Sequence, residues 1–285
     1  MKVMKPIIGA HISGGLSVCV ENAERIGAQT MQIFGSSPRM WRTRMPLADE
    51  VAEYKKVLGK SSIKKVFLHS AYLVNLASSS PDIYSFSIQS LMDHLKIADV
   101  IGAEGVIFHL GSTKGGDRDE GFEREVLAIK KVLSTVPGGT QLIMENTAGG
   151  GDKIGAEISD IARLLNSVNS PRVKVCYDTA HGFEAGLVES YTKESVKKLF
   201  DEFDKKLGIE NIVAIHANDS KTISNSNHDK HENIGEGHIG INGFEALASD
   251  SRLHDKAWIL EVPGFDGEGS DKKNIEILSS CFKGS

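Results

Sequence analysis

Eight short runs of aliphatic, β-branched and aromatic residues recur along the chain, each followed by an amphipathic stretch. They are Ile7–His11, Thr30–Phe34, Val66–His69, Gly105–His109, Gln141–Glu145, Val173–Asp178, Ile212–Ala217 and Ala257–Glu261. Each run is almost continuously apolar, the pattern of a strand buried on both faces. Helical periodicities with defined ends lie between them. Ser80-Pro81-Asp82 reads as an N-cap with proline at the first helical position; Ile83, Phe86, Leu91, Leu95, Ala98 and Ile101 follow at near-helical spacing, and Gly102 stops the pattern. Residues 120–136, 192–207 and 271–283 read the same way. Eight strand–helix alternations with no linker or composition break predict one (β/α)8 TIM barrel domain over residues 1–285. An open doubly wound sheet is the alternative, and the lack of a glycine-rich dinucleotide fingerprint counts against it.

A barrel of this kind gathers the C-terminal ends of its strands on one face. Six consecutive runs carry at that end a residue able to ligate a metal: His69, His109, Glu145, Asp178, His216 and Glu261. A single such residue is ordinarily a satisfied polar group at a strand mouth. Six would crowd three imidazoles and three carboxylates together, an arrangement that calls for cations. Without paired cysteines, the set suits Zn2+ or Mn2+. Asp178-Thr-Ala-His181 adds a donor one turn further on.

The segment "HANDSKTISNSNHDKHENIGEGHIG", residues 216–240, holds four of the ten histidines and almost no large apolar residue, so it is expected outside the core. It is either a solvated histidine-rich loop or the holder of a cation through Asp229 and His231. The converging strand ends favour the cation, and nine donors in all suit two or three ions. His94 and His254 are expected at the surface. His228 and His238 flank the Asp229–His231 pair, and His11 closes the first strand without counting as a ligand.

Longer motifs surround these residues: "IFGSSPRMW", "HSAYLVNLAS", "FHLGS", "ENTAGGG", "DTAHGFEAG" and "HANDSK…HDKHENIGEGHIG". In this order they resemble the endonuclease IV family of apurinic/apyrimidinic (AP) endonucleases, from Ile8-Gly-Ala-His-Ile-Ser near the start to Leu260-Glu-Val-Pro263 near the end. The resemblance implies a TIM-barrel DNA-repair enzyme with three zinc ions. Its implied reaction is hydrolysis of the phosphodiester 5′ to an abasic site in double-stranded DNA, leaving 3′-hydroxyl and 5′-deoxyribose phosphate ends. Carried over by position, one zinc falls to His69, His109 and Glu145. Glu145 bridges to a second, completed by Asp178, His216 and Glu261, and the third falls to His181, Asp229 and His231. Glu145 and Glu261 are then the catalytic carboxylates, with Glu261 orienting the nucleophile. The resemblance also places the loop Ser36–Trp41 and the pair Tyr72-Leu73 in the DNA minor groove, with Arg39 filling the gap left by the extruded nucleotide. Ala180, Gly150 and Val262 depart from the family's usual Cys, Gln and Thr. None is an implied ligand, but Gly150 puts one loop–DNA contact in doubt.

A net charge of −5 argues mildly against a polyanionic partner. Three Zn2+ would reverse that at the mouth, where Arg39, Arg42, Arg44, Lys114, Lys153 and Lys221 sit on loops expected to form the rim. Arg42 and Arg44 also read as an ordinary solvated basic turn. The three cysteines, Cys19, Cys176 and Cys281, are far apart and read as reduced, mostly buried thiols. No run approaches 18 apolar residues and MKVMKPIIGAH lacks a signal-peptide pattern. A monomer away from membranes is expected, in the cytoplasm (or nucleus, in a eukaryote). Two rivals stand. A sugar isomerase/epimerase barrel uses one or two divalent ions at the same mouth, with no need of His181, Asp229 and His231 or of Arg39-Met-Trp41. A catalytically silent, metal-stabilised binder of DNA lesions is the other.

Overall fold

The structure, a computed structural model, describes residues 6–284; Met1–Lys5 and Ser285, the ends of the expected domain, lie outside the described residues. Eight parallel strands close into a barrel: β1 (Ile7–His11), β2 (Thr30–Phe34), β3 (Lys65–His69), β4 (Gly105–His109), β5 (Gln141–Glu145), β6 (Val173–Asp178), β7 (Ile212–His216) and β10 (Ala257–Leu260). Each pairs with the next barrel strand in the chain, and β10 closes the ring on β1. The intervening β8 (Asp219–Ser220) and β9 (His231–Glu232) form a separate antiparallel pair. The strands match the apolar runs to within one residue at each end, with Glu261 one position beyond β10.

Period-two alternation decides which side chains enter the barrel. Phe67, Ile107, Ile143, Cys176, Ala214, Ala257 and Ile259 fill its interior. Their neighbours, such as Val66, Leu68, Val106, Phe108, Leu142 and Met144, pack in the layer beneath the helices. Two positions beyond Phe67, Ile107, Ile143, Cys176, Ala214 and Ile259 stand His69, His109, Glu145, Asp178, His216 and Glu261. The same parity that fills the barrel thus aims all six at its mouth. Gly9 on β1 allows the closest strand approach, since a Cβ there would lie 1.7 Å from the Thr30 carbonyl oxygen.

The helices follow in chain order: α1 (Gly15–Arg25), α2 (Ala48–Leu58), α3 (Pro81–Ile101), α4 (Arg118–Thr135), α5 (Ile158–Val168), α6 (Thr179–Glu184), α7 (Lys193–Leu207), α8 (Gly240–Ala248) and α9 (Lys272–Cys281). Their ends have local causes. Gly102 closes α3 with φ 79°. Asp117, Thr192 and Asp271 cap α4, α7 and α9 by accepting hydrogen bonds from backbone N–H groups of the first turn. Among the described residues no helix is long and apolar enough to cross a membrane. All three cysteines are free and buried.

Three expectations need correction. His94 is not a surface residue but fully buried on α3. It sits on the same helix face as Leu91, Leu95 and Ala98, and its Nδ1–H donates to the Ser90 carbonyl at 2.7 Å. His254 is half-buried, bonded through Nε2 to the Ala248 carbonyl. The segment 216–240 is also not wholly outside the core: His216, Ala217, Asn218, Asp219 and Ser220 are fully buried. Burial is tolerated because the Asp219 carboxylate accepts from the N–H groups of Ser220, Gly235, Gly237, Ile239 and Gly240.

Candidate metal centre

Glu145, at the end of β5 and fully buried, lies at the middle of the barrel mouth. Its Oε2 is 3.2 Å from His69 Nε2 and 3.1 Å from His109 Nε2. Its Oε1 is 2.9 Å from His216 Nδ1 and 3.4 Å from His181 Nδ1. His216 Nδ1 also lies 3.2 Å from Glu261 Oε2 and 3.8 Å from Asp178 Oδ2. Asp229 Oδ1 reaches His181 Nε2 at 3.3 Å and His231 Nε2 at 3.7 Å, and Asp178 Oδ2 is 3.7 Å from that same His231 nitrogen. Three groups could each hold an ion: His69, His109 and Glu145; Glu145, Asp178, His216 and Glu261; and Asp178, His181 and His231. Asp178 joins the third group as well as the second, and Asp229 borders the third. His231 is on β9 of a hairpin rather than on an irregular loop.

Four of the imidazoles use one ring nitrogen on an acceptor away from this cluster. His69 Nδ1 faces the Ser70 carbonyl at 2.8 Å, His181 Nδ1 the Asn146 carbonyl at 2.9 Å, and His231 Nδ1 the Glu261 carbonyl at 3.2 Å. His216 Nε2 faces Gln32 Oε1 at 2.9 Å. With those nitrogens donating, each ring presents its other nitrogen as a lone pair toward carboxylate oxygens. Lone pair against carboxylate is repulsive unless a cation stands between them or the ring takes a second proton. The Nε2 atoms of His181 and His231 are buried with no hydrogen-bond partner among the described residues. This chemistry fits a cluster of divalent cations held by imidazole and carboxylate, in which outer acceptors fix each ring's orientation.

The titration behaviour has the same cause. Burial resists charge on Glu145, yet the His216 and His109 imidazoles hold its carboxyl well below the usual range. Glu261 is also driven well below that range, with His216 offsetting its burial. Against the opposing effect of burial, Asp178 and Asp229 lift His181 well above an ordinary imidazole, and His216 is likewise lifted by the acidic groups around it.

Residues 20–281 match the family model described as a xylose isomerase-like TIM barrel. A protein of Halothermothrix orenii named probable endonuclease 4 is 35% identical over 274 residues, 95% of this chain and 98% of its own length. Its namesake in Thermotoga maritima is 34% identical over 278 residues, 95% of this chain and 96% of its own. The crystal structure of endonuclease IV from Thermus thermophilus aligns with TM-score 0.84 and 31% identity, covering 98% of this chain and 100% of that one. The chain belongs to the endonuclease IV family. A D-tagatose 3-epimerase-like protein, at TM-score 0.73 and 18% identity over 96% of this chain and 97% of its own, shares the fold.

In this endonuclease IV family member, two clefts open at the mouth. One of about 770 Å3 is lined by His11, His69, His109, His181, Asp229, His231 and Glu261. A smaller one of about 370 Å3 runs past Trp41, Leu73, Lys114 and Lys153, and Tyr72 borders both. Tyr72 is 64% exposed and Leu73 37%, large apolar surfaces that packing does not explain. The Tyr72 N–H donates to the Pro38 carbonyl, tying this pair to the Ser36–Trp41 loop. Trp41 packs on Phe86, with ring centroids 5.7 Å apart. Arg39 and Arg42 are exposed, whereas Arg44 makes two hydrogen bonds to Glu50 and Lys221 lies 3.6 Å from Glu232. His228 and His238 are exposed, and neither belongs to the three donor groups.

Among the departures from the family pattern, Gly150 has a local explanation. Gly149, Gly150 and Gly151 have φ of 79°, 71° and 56°, and a Cβ on Gly150 would come 3.1 Å from Asn227 Cβ. Glycine suits both that backbone and that contact. Ala180 and Val262 are buried packing positions. Three buried amides escape the sequence reading. Asn218 donates to Asp178 Oδ2 at 2.7 Å and accepts from Glu261 N at 2.7 Å. Asn146 accepts from Asp178 N at 2.6 Å. Gln32 joins His216 to Glu261. The only signal available for Gln32 was an amide inside the run "TMQIF".

Proposed function

We propose that this protein is a metal-dependent AP endonuclease that cuts double-stranded DNA 5′ to abasic sites, leaving 3′-hydroxyl and 5′-deoxyribose phosphate ends. The observation that carries this reading is the three overlapping donor groups sharing Glu145 and Asp178 beneath a mouth flanked by Tyr72, Leu73 and Trp41. In the reading, His69, His109 and Glu145 hold one zinc, Glu145, Asp178, His216 and Glu261 a second, and His181, Asp229 and His231 a third, with Mn2+ able to replace some of them. Zinc there supplies Lewis acidity, bringing water to a pKa of about 7 and neutralising developing negative charge.

The chain's own residues do the rest. Glu145 and Asp178 keep the donor groups in fixed relation, so the scissile phosphate is bound in one orientation. Glu261, held through Oε1 by Gln32 and reaching the cleft, orients the attacking water. The water gives a proton to solvent as its oxygen bonds to phosphorus, the P–O3′ bond breaks, and O3′ takes a proton from solvent. Tyr72, Leu73 and Trp41 offer apolar surface to a kinked minor groove, and Arg39 fills the space of the extruded nucleotide. Selection follows from deformability, because an abasic site has no base to unstack. One barrel supplies every donor, so a monomer acting as the single domain 1–285 in the cytoplasm suffices.

The test is incision of a duplex with one abasic site, beside an undamaged duplex and a ketose epimerisation assay. Metal-dependent nicking at the lesion alone is expected. Ketose turnover without nicking would favour the isomerase reading, and tight lesion binding without nicking the silent binder.

A further inference from the structure

Gln32 lies in the middle of β2, fully buried, with its side chain under the barrel mouth. Three polar groups surround its amide. Nε2 is 2.5 Å from Glu261 Oε1 and 2.9 Å from His11 Nδ1, and Oε1 is 2.9 Å from His216 Nε2. A carboxylate only accepts, so the amide nitrogen must be the group facing Glu261. A flipped amide would set two acceptor oxygens against each other. The orientation has consequences on both sides. Oε1 faces His216, so that ring carries its proton on Nε2 and turns Nδ1 to Glu145 and Glu261. The second amide hydrogen points at His11 Nδ1, so His11 accepts there and carries its own proton on Nε2. His11 Nδ1 is 3.5 Å from Glu261 Oε1, too long to compete with the amide contact. His11 lines the larger cleft, with its ring packed against Phe34 at 4.3 Å between centroids.

We propose that Gln32 is a positioning residue that fixes the tautomers of His216 and His11, and that His11 thereby acts as a neutral Nε2–H donor to a phosphate oxygen of the strand being cut. The donor-to-phosphate half rests on the proposed endonuclease reading; the tautomer half does not. His11 is not a metal ligand in this scheme. It places a neutral hydrogen-bond donor in the cleft beside the donor groups. A hydrogen bond to a charged oxygen contributes about 1.5–3 kcal/mol, or about 10- to 100-fold in binding or rate.

Two measurements separate the halves. Ring-nitrogen NMR of zinc-loaded, 15N-histidine-labelled protein is expected to show both His11 and His216 protonated at Nε2. In Gln32→Met the His11 pattern should change, and zinc should be lost to a competing chelator about 10- to 100-fold more readily. His11→Leu should keep its full zinc content but cut abasic duplex about 10- to 100-fold more slowly in single turnover, with His11→Gln, which retains an N–H donor, recovering most of that loss. Protonation of His11 at Nδ1, loss of zinc in His11→Leu, or cutting by His11→Leu at the unmodified rate would overturn the proposal. The NMR and chelator readings need no DNA. If the unmodified protein shows the expected tautomers yet cuts no abasic duplex, the proposed function fails while the positioning role of Gln32 stands.

Discussion

Glu145 has both carboxylate oxygens in use, Oε2 toward His69 and His109 and Oε1 toward His216 and His181. An amide cannot present two anionic oxygens, so Glu145→Gln turns an NH2 group toward one pair of imidazoles. The variant is expected to fold, to lose at least one metal equivalent by elemental analysis, and to nick abasic duplex at least ~10²-fold more slowly. Full metal content with unmodified nicking would contradict the bridging role. At this scale the six strand-end residues were legible from their place at the ends of consecutive apolar runs, because a barrel gathers those ends on one face. Gln32, Asn146 and Asn218 were not legible. Each is defined by partners at least 21 residues away in the chain, and a buried amide leaves no periodic trace.

Helices and barrel strands announced themselves through caps and apolar runs, but the hairpin of β8 and β9 did not. Strands of two residues are too short for any period, and the burial of β8 depends on backbone N–H groups supplied by the turn that follows β9. The hairpin hangs from two buried acids. Asp219 gathers the N–H groups of the 235–240 turn, and Glu184 Oε1 accepts from Ser220 Oγ and Lys230 N. Of the proposed ligands, only Asp229 and His231 belong to this hanging element, so the ion it shares should be the easiest to lose. His231→Ala is expected to drop one zinc equivalent and to lower kcat by about 10²–10³-fold, with a smaller change in Kd for abasic duplex at fixed salt. A variant that keeps its full zinc content, or that loses affinity while keeping its single-turnover rate, would rule this out. The 36–41 loop carries the opposite expectation. Arg39 stands apart from the donor groups, so Arg39→Ala should leave zinc unchanged and weaken binding to abasic duplex more than to undamaged duplex. Equal losses on both would make Arg39 a phosphate contact.

For the molecule as a whole, the mouth concentrates carboxylates and imidazoles in a largely buried cluster, and stability should follow what neutralises them. In metal-free protein the depressed carboxyls of Glu145 and Glu261 contribute stability above their unfolded value near 4.5, lost as pH falls through their lower folded values. The raised imidazoles of His181 and His216 contribute stability that is full below 6.5 and is lost as pH rises through their higher folded values. Metal binding needs those rings deprotonated and strengthens as pH rises. The fall in Tm on chelation is therefore expected to be small near pH 6 and to grow toward pH 8; a constant or shrinking difference would show that the rings do not bind metal. The central claim, that three metal sites cooperate in cutting 5′ to an abasic site, is tested most directly by stripping the protein and restoring zinc one equivalent at a time on an end-labelled abasic duplex. The account predicts that incision reaches its full rate only with the third equivalent and leaves a 3′-hydroxyl that a polymerase can extend. Full activity at one or two equivalents, or a cut on the 3′ side of the lesion, would contradict it.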